Sequence, residues 1–481
     1  MTKDDHFFIS IDKDSKLFHT FDIFPDEESV SNVKEDKDTD ELSIEKDNKE
    51  IKEVGFSEIL QDSVYAMNLY LRFSQRELAN ATVIGVNKSY KVIYRYVREN
   101  GSLREDLSSD KKSIYQLNMG KISQFKLLNE DFLLSISNIR HLPQVMIMGL
   151  ISSYDHRLAR MLKLIFNLKP EMIFTSDKEI KFSDLVAFKS IDEAKNSIIE
   201  REVEAVIRLS HRQQFDWMHN RFSIKLRENL PQWSSFIEVC ERRNLFTHTG
   251  GIVSNQYIEV CSQNGGVGSD IAVGKRLTAD GDYVLESAIS VSVVLIKLSY
   301  VLWRKFIKDE YNDADRKILD ISYEFIFNYQ YKIAGELLKF SIGTINKFGG
   351  EALNRQIMVI NLANTIRLQG GDREQFEAVL SKEDWSGAGD RAKLCVAAVR
   401  GDIDLVASLM KKIGLSGDIT AENYRTWPVF RGVDLAGIFG KTFEEVFGEA
   451  IISSKFSTAE VSLTNLINAS HENDTVSPTI N

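Results

Sequence analysis

Between Pro143 and Pro170 the chain sets Ile147, Leu150, Ile151, Tyr154, Leu158, Met161, Leu162, Ile165 and Phe166 in one helical stripe. Wound at about 100° per residue, these side chains cover one broad face, too wide to be left in water. Proline is accepted in the first turn of a helix and ends one that reaches it from inside. The stretch therefore predicts a helix that opens at Pro143 and has stopped by Pro170. Its stripe needs several neighbouring helices to cover it.

Segments of that kind lie on both sides. Residues 57–99 carry the same period, with a break near 85–87. Residues 182–222 read as a second long helix, with Ser190 placed to cap it. Pro231 and Trp233 lead into another helix, and 283–308 reads as the long helix that closes a bundle. With six prolines in 481 residues, the expected fold class is all-α. The exceptions are 7–11 (FFISI) and 17–24 (LFHTFDIF), aromatic and β-branched runs around DKDSK that can pair as a small β hairpin. Residues 100–120 and 262–282 are polar and glycine-containing and read as loops. The second, GGVGSDIAVGKR at its centre, lacks the Gly-Lys-Ser/Thr ending of a phosphate-cradling loop, so nucleoside triphosphate binding is not expected there.

The most apolar run, SAISVSVVLIKLSYVLW at 287–303, contains Lys297 and is followed by Arg304 and Lys305. It fits a buried helix better than a membrane span, and no membrane partner is expected. Cys240, Cys261 and Cys395 are too scattered for a zinc cluster or a disulfide framework. With no signal peptide legible at the start, a cytoplasmic location is the expectation. The net charge of −10 is concentrated in residues 1–56, where 17 Asp and Glu face 8 Lys. The remainder is close to neutral and can carry basic patches, such as the row Lys88, Lys91, Arg95 and Arg98. That row reads either as a solvated face or as a track for a phosphate backbone.

Residues 238–251, Glu-Val-Cys-Glu-Arg-Arg-Asn-Leu-Phe-Thr-His-Thr-Gly-Gly, carry the chemistry. With Arg243 at zero on a helical wheel, Thr247 falls near about 40°, Asn244 near about 100° and His248 near about 140°, a polar arc. Val239, Leu245 and Phe246 lie on the other side. Gly250 and Gly251 follow as a left-handed cap. Histidine exchanges protons near neutral pH, and arginine offers a planar fork to phosphate oxygens. The competing reading is a solvated helix face whose histidine caps carbonyls.

The spacing Arg243-x4-His248, with Asn244 beside the arginine, resembles the signature of HEPN ribonucleases. The string ERRNLFTHTGGIVSNQYI is similar to one bacterial branch, in which Arg-Arg-Asn precedes the histidine and a Gly-Ile/Val-x-x-x-Tyr stretch follows. SSYDHRLARMLKLIFNLKPEMI is similar to the first core helix of that branch, with Asp155 at a position often acidic there. Asp155 then orients the histidine or the arginine, or is a satisfied polar group in a helix interface.

The resemblance covers 130–310. It implies a HEPN-like helical bundle that forms a homodimer, with the Arg243 and His248 helices of two copies facing one another. It implies a metal-independent endoribonuclease, with no metal and no cofactor, in which RNA's own 2′-hydroxyl attacks. Arg243 and His248 are then catalytic, with Asn244 and Asp155 in support. Single-stranded RNA or loops, tRNA among them, are the expected substrates. The role implied is that of a toxin or anti-phage effector. Two other readings are a silent HEPN scaffold that binds RNA or protein, and a bundle modified by a nucleotidyltransferase on a tyrosine such as Tyr257.

Around this bundle the chain divides into 1–56, a hairpin and acidic flexible segment; 57–129, a helical N-terminal extension; 311–470, a C-terminal domain; and 471–481, a tail. Within 311–470, helices of one to two dozen residues joined by short turns, with Gly-Asp at 371–372 and 401–402, resemble tetratricopeptide-like helix pairs stacked as a solenoid. Such a helical-repeat domain suits a regulatory partner. The acidic segment 27–53 can act as a decoy for a basic RNA groove or as a plain linker.

Overall fold

The computed structural model of the chain describes residues 8–11, 18–21, 55–74, 78, 84–103, 115–117, 119–174, 188–227, 230–265, 268, 270–415 and 417–451. The acidic segment 27–53 and the tail 471–481 lie outside the described residues. The described residues divide into two units, one within 1–53 and the other within 54–481. In the first, β1 (Phe8–Ile11) and β2 (Phe18–Phe21) pair antiparallel, Phe8 opposite Phe21 and Ile11 opposite Phe18.

The second unit is built of helices. Helix α1 (Phe56–Arg72) and α2 (Gly85–Asn100) lead to a short antiparallel hairpin, β3 (Gly101–Leu103) with β4 (Tyr115–Leu117), inside the stretch expected to be loop. Helix α3 then runs for 50 residues, Met119–Leu168, straight through Pro143. The expectation that Pro143 opens a helix is corrected. Proline forfeits one backbone hydrogen bond, a local cost that the turns on either side can carry when both are helical. Pro170 lies just beyond the end of α3, as its missing N–H requires.

The expected long helix over 182–222 is two, α5 (Ile191–Ile207) and α6 (His211–Phe222), after the short α4 (Glu171–Phe174). Ser190 caps α5 by accepting from the Glu193 amide. Ser210 breaks the run by forming a capping box with Gln213, which restarts the chain as α6. Helices α7 (Trp233–His248) and α8 (Asn255–Gln263) follow, the second capped by Ser254.

Helix α9 (Gly281–Phe306) is the axis of the fold and is buried along most of its length. It is long and apolar enough to cross a membrane, and most of that apolar surface is packed inside the protein. Two of its buried serines are satisfied by their own helix: Ser292 donates to the Ala288 carbonyl at 2.6 Å and Ser299 to the Leu295 carbonyl at 2.8 Å. Lys297, also buried, reaches Gln232 at 3.2 Å and Glu336 at 3.4 Å and lies over the Phe340 ring. Phe56 of α1 stacks on Trp303 of α9, ring centroids 6.3 Å apart.

Beyond α9 come α10 (Tyr311–Phe327), α11 (Tyr331–Phe348), α12 (Ala352–Leu368), α13 (Arg373–Leu380), α14 (Asp390–Arg400) and α15 (Ile403–Ile413). Asp372 and Asp402, from the two Gly-Asp turns, cap α13 and α15. The short α16 (Ala421–Thr426) and α17 (Ile438–Phe447) complete the described chain. One apolar core extends from Phe56 to Leu362 and a second from Val359 to Phe443. Residue 310 thus falls inside the first core, where α9 packs on α10 and α11. Position 130 falls inside α3.

Candidate active site

Helix α7 exists because Phe236, Ile237, Val239, Cys240, Leu245 and Phe246 form a buried stripe along it. Its end is fixed by backbone. The amides of Thr249 and Gly251 both bond the Leu245 carbonyl, at 2.9 and 3.0 Å, while Gly250 and Gly251 sit at φ 58° and 87°. A Cβ on Gly251 would lie 2.6 Å from the Leu277 carbonyl oxygen, so only glycine fits. Ile252 bridges to Arg276 behind it, and Arg276 donates to the Gly250 carbonyl.

The two arginines of α7 have different surroundings. Arg242 bonds Glu238 at 2.7 Å and lies 4.1 Å from the centre of the Tyr283 ring. Glu238 also accepts from Tyr257 at 2.6 Å and from Tyr283 at 2.8 Å. That cluster ties α7 to α8 and α9. Burial pushes both phenols far above their ordinary range, with the Glu238 charge adding to it. The Tyr257 hydroxyl is therefore committed inside the protein, which removes it as an accessible acceptor for modification.

Arg243 points instead into a cleft of about 300 Å³ between the end of α5, the start of α6, α3 and α7. Its Nη2 lies 3.4 Å from Oδ2 of Asp155 on α3. The other carboxylate oxygen, Oδ1, lies 3.0 Å from Nε2 of His211, the first residue of α6. The His211 ring is buried and packs against Tyr154 and Phe236, with centroids 5.7 and 5.9 Å away. Asp155 therefore holds two cation-capable groups from two other helices. The buried Nε of Arg243 has no partner among the described residues. Asn244, Arg208 and Ser210 line the same cleft.

Glu241 is buried at 6% exposure and borders a second cleft of about 420 Å³ on the other side of the α6 start. Burial raises its carboxyl above the usual range, against the opposing pull of a hydrogen bond from Asn244 and the charges of His211 and Arg243.

Of the four residues singled out from sequence, the structure brings Arg243, Asn244 and Asp155 to one cleft. His248 is not among the residues that line it. It is exposed in the last turn of α7 and has no polar partner among the described residues. It lies five positions along the helix from Arg243, so the two side chains diverge by about 140°. Asp155 engages the arginine and not this histidine. Two residues were missed by sequence reasoning. His211 lay within the run read only as a long helix over 182–222, and Glu241 looked like any charged helix residue. Among the described residues no group of three His, Cys, Asp or Glu side chains is arranged to hold a metal ion.

Comparison with protein families, with curated proteins and with solved structures finds no match for this chain.

Proposed function

We propose that the chain is a metal-independent endoribonuclease of the HEPN type, a cytoplasmic toxin or anti-phage effector that cuts single-stranded or looped RNA. One observation carries the reading: Arg243, tethered by Asp155, turns a guanidinium with unused donors into an open cleft, and the helix that bears it ends on the exposed imidazole of His248. The guanidinium has five N–H donors, and one is spent on Asp155. Those left on the terminal nitrogens can take the non-bridging oxygens of a phosphate as charge builds on them, while the Nε–H is buried.

In this reaction the RNA 2′-oxygen attacks the adjacent phosphorus and the bond to the 5′-oxygen breaks. One group removes the 2′-hydroxyl proton and another protonates the departing 5′-oxygen, leaving a 2′,3′-cyclic phosphate and a 5′-hydroxyl. One copy of the chain supplies one exposed His248, directed away from its own Arg243. A homodimer with the α7 helices face to face supplies two imidazoles, one as base and one as acid, and places each near the partner's arginine. The C-terminal helices are then the site where a regulatory partner would act.

The Asp155–Arg243 ion pair favours a second reading, in which the arginine is structural and the bundle is a silent scaffold that binds RNA or protein. Incubation of purified protein with bulk RNA in chelator, followed by sequencing of RNA ends, separates the two. Cleavage should fall by about 10²–10⁴ in His248→Ala and Arg243→Ala, and light scattering should give the mass of two chains. Unchanged cleavage in His248→Ala, or a fully active monomer, would overturn the proposal.

A further inference from the structure

The helix α2 carries a second constellation, far from α7 in sequence. Tyr90 and Tyr94 stand one turn apart with their rings stacked, centroids 5.9 Å and planes 15° from parallel. They remain 52% and 45% exposed. Arg98 lies over the Tyr94 ring at 5.9 Å, and Phe132 of α3 supports Tyr90 from beneath at 6.0 Å. With Tyr90 at zero on the helix, Tyr94 falls near about 40°, Arg98 near about 80°, Lys91 near about 100°, Arg95 near about 140° and Lys88 near about 160°. Two aromatic rings and four cations thus share one half of the helix, with Glu99 at its margin. Ile93, the one buried residue of α2, lies on the other half.

Among the described residues no carboxylate pairs with Lys88, Lys91, Arg95 or Arg98, whereas Arg242, Arg304, Arg355 and Arg400 are all held by acids. Apart from the contact of Tyr90 with Phe132, the two rings take no part in the core, where α2 buries Ile93 alone. Open aromatic faces beside unpaired cations are what a single-stranded nucleic acid needs: bases stack on the rings and the backbone follows the charges. A duplex hides its base faces and cannot use the rings.

We propose that this face of α2 is a binding site for single-stranded RNA, separate from the α7 cleft. The choice of RNA over DNA rests on the ribonuclease reading; the stacking and charge arguments do not.

The test uses the full chain carrying His248→Ala, so that probe is not consumed, and a fluorescent oligouridylate of about 15 nucleotides. If each cation neutralises one phosphate, log affinity should fall with log salt at a slope of about −3. Lys91→Ala with Arg95→Ala should make that slope shallower by about 1.4. Tyr94→Leu should weaken binding by about tenfold at every salt concentration and leave the slope unchanged, while Tyr94→Phe should bind as the parent does. Circular dichroism of each variant checks that the helices are retained.

Unchanged affinity in Tyr94→Leu overturns the proposal. So does equal affinity for duplex RNA, or sedimentation with phosphatidylserine vesicles in place of retention of RNA. Equal binding of oligothymidylate leaves a single-strand site and removes the preference for RNA. If Tyr94→Leu loses affinity and the protein with His248 restored does not cleave, the ribonuclease reading fails and this site stands. If the protein with His248 restored cleaves and Tyr94→Leu neither binds nor cleaves differently, the reverse holds.

Discussion

Arg304 and Arg243 each pair with an aspartate that a ring-bearing residue also engages, yet the two clusters differ in closure. At the first, Asp315 is fully buried, accepts from the Tyr300 hydroxyl at 2.5 Å and takes the Arg304 guanidinium, which is itself only 9% exposed. The second guanidinium nitrogen of Arg304 goes to the Gly349 carbonyl at 2.6 Å. At the second, Asp155 and Arg243 are 21% and 25% exposed, and the arginine spends one nitrogen on the carboxylate at 3.4 Å. The chemistry is alike, and the number of donors left over is not. A charged cluster whose donors are spent inside the protein ties α9 to α10. A cluster with donors left over at the wall of a cleft can still bind something else. Low dielectric magnifies both outcomes, because a sealed pair that loses one member leaves a charge that water cannot reach.

The largest expected effect follows from the sealed cluster. Asp315→Ala leaves Arg304 buried without its carboxylate and should cost about 3–5 kcal/mol of stability. Urea denaturation of the two proteins reads this directly, and a loss below about 1 kcal/mol would show that the cluster is not sealed in solution. Next in size is the open cluster. Asp155→Ala should cost about 1–3 kcal/mol, since solvent reaches Asp155 and Arg243 but the buried His211 ring loses its partner. Its effect should appear in RNA cleavage, lowered about tenfold to a hundredfold as Arg243 loses its orientation. If Asp155→Ala destabilises as strongly as Asp315→Ala, the contrast between the clusters collapses and Arg243 is structural.

Which of these clusters was legible in the sequence follows from what periodicity reports. It tells which face of a helix is buried, so α7, its apolar stripe, its Gly250–Gly251 end and the cap Ser190 were all readable. The all-α class followed from the same signal repeated along the chain. Periodicity does not tell which helix covers which face. His211 meets Asp155 across 56 residues, and only packing of α6 on α3 and α7 brings them within 3.0 Å. The same blindness explains Pro143, where the local signal for a helix start was outweighed by helical turns on both sides. It explains residue 310 as well, where a change in sequence texture marks no break in the core. The divergence of Arg243 and His248 was present in the wheel as about 140°, and only the cleft around one and the open surface around the other give it meaning.

The smallest expected effect concerns Glu241, the carboxylate behind the open cluster. Burial raises its pKa in the folded chain, and the hydrogen bond from Asn244 and the charges of His211 and Arg243 only reduce that rise. In the unfolded chain it titrates near about 4.3. A carboxyl with a raised folded pKa binds more protons folded than unfolded, so its contribution to stability is most favourable below the unfolded value. That contribution is lost as pH rises through the folded pKa, after which the ionised group is a burden on the fold. Glu241→Gln keeps the shape and the hydrogen bond but removes the titration. The variant should therefore be more stable than the parent at neutral pH, with the difference shrinking as pH falls toward about 4. Urea midpoints between these limits measure it. A difference that stays constant with pH, or grows on acidification, would mean that Arg243 and His211 outweigh burial at Glu241. Both sides of the α6 start would then belong to one charged network, and the cleft at Arg243 would be more closed than its unused donors indicate.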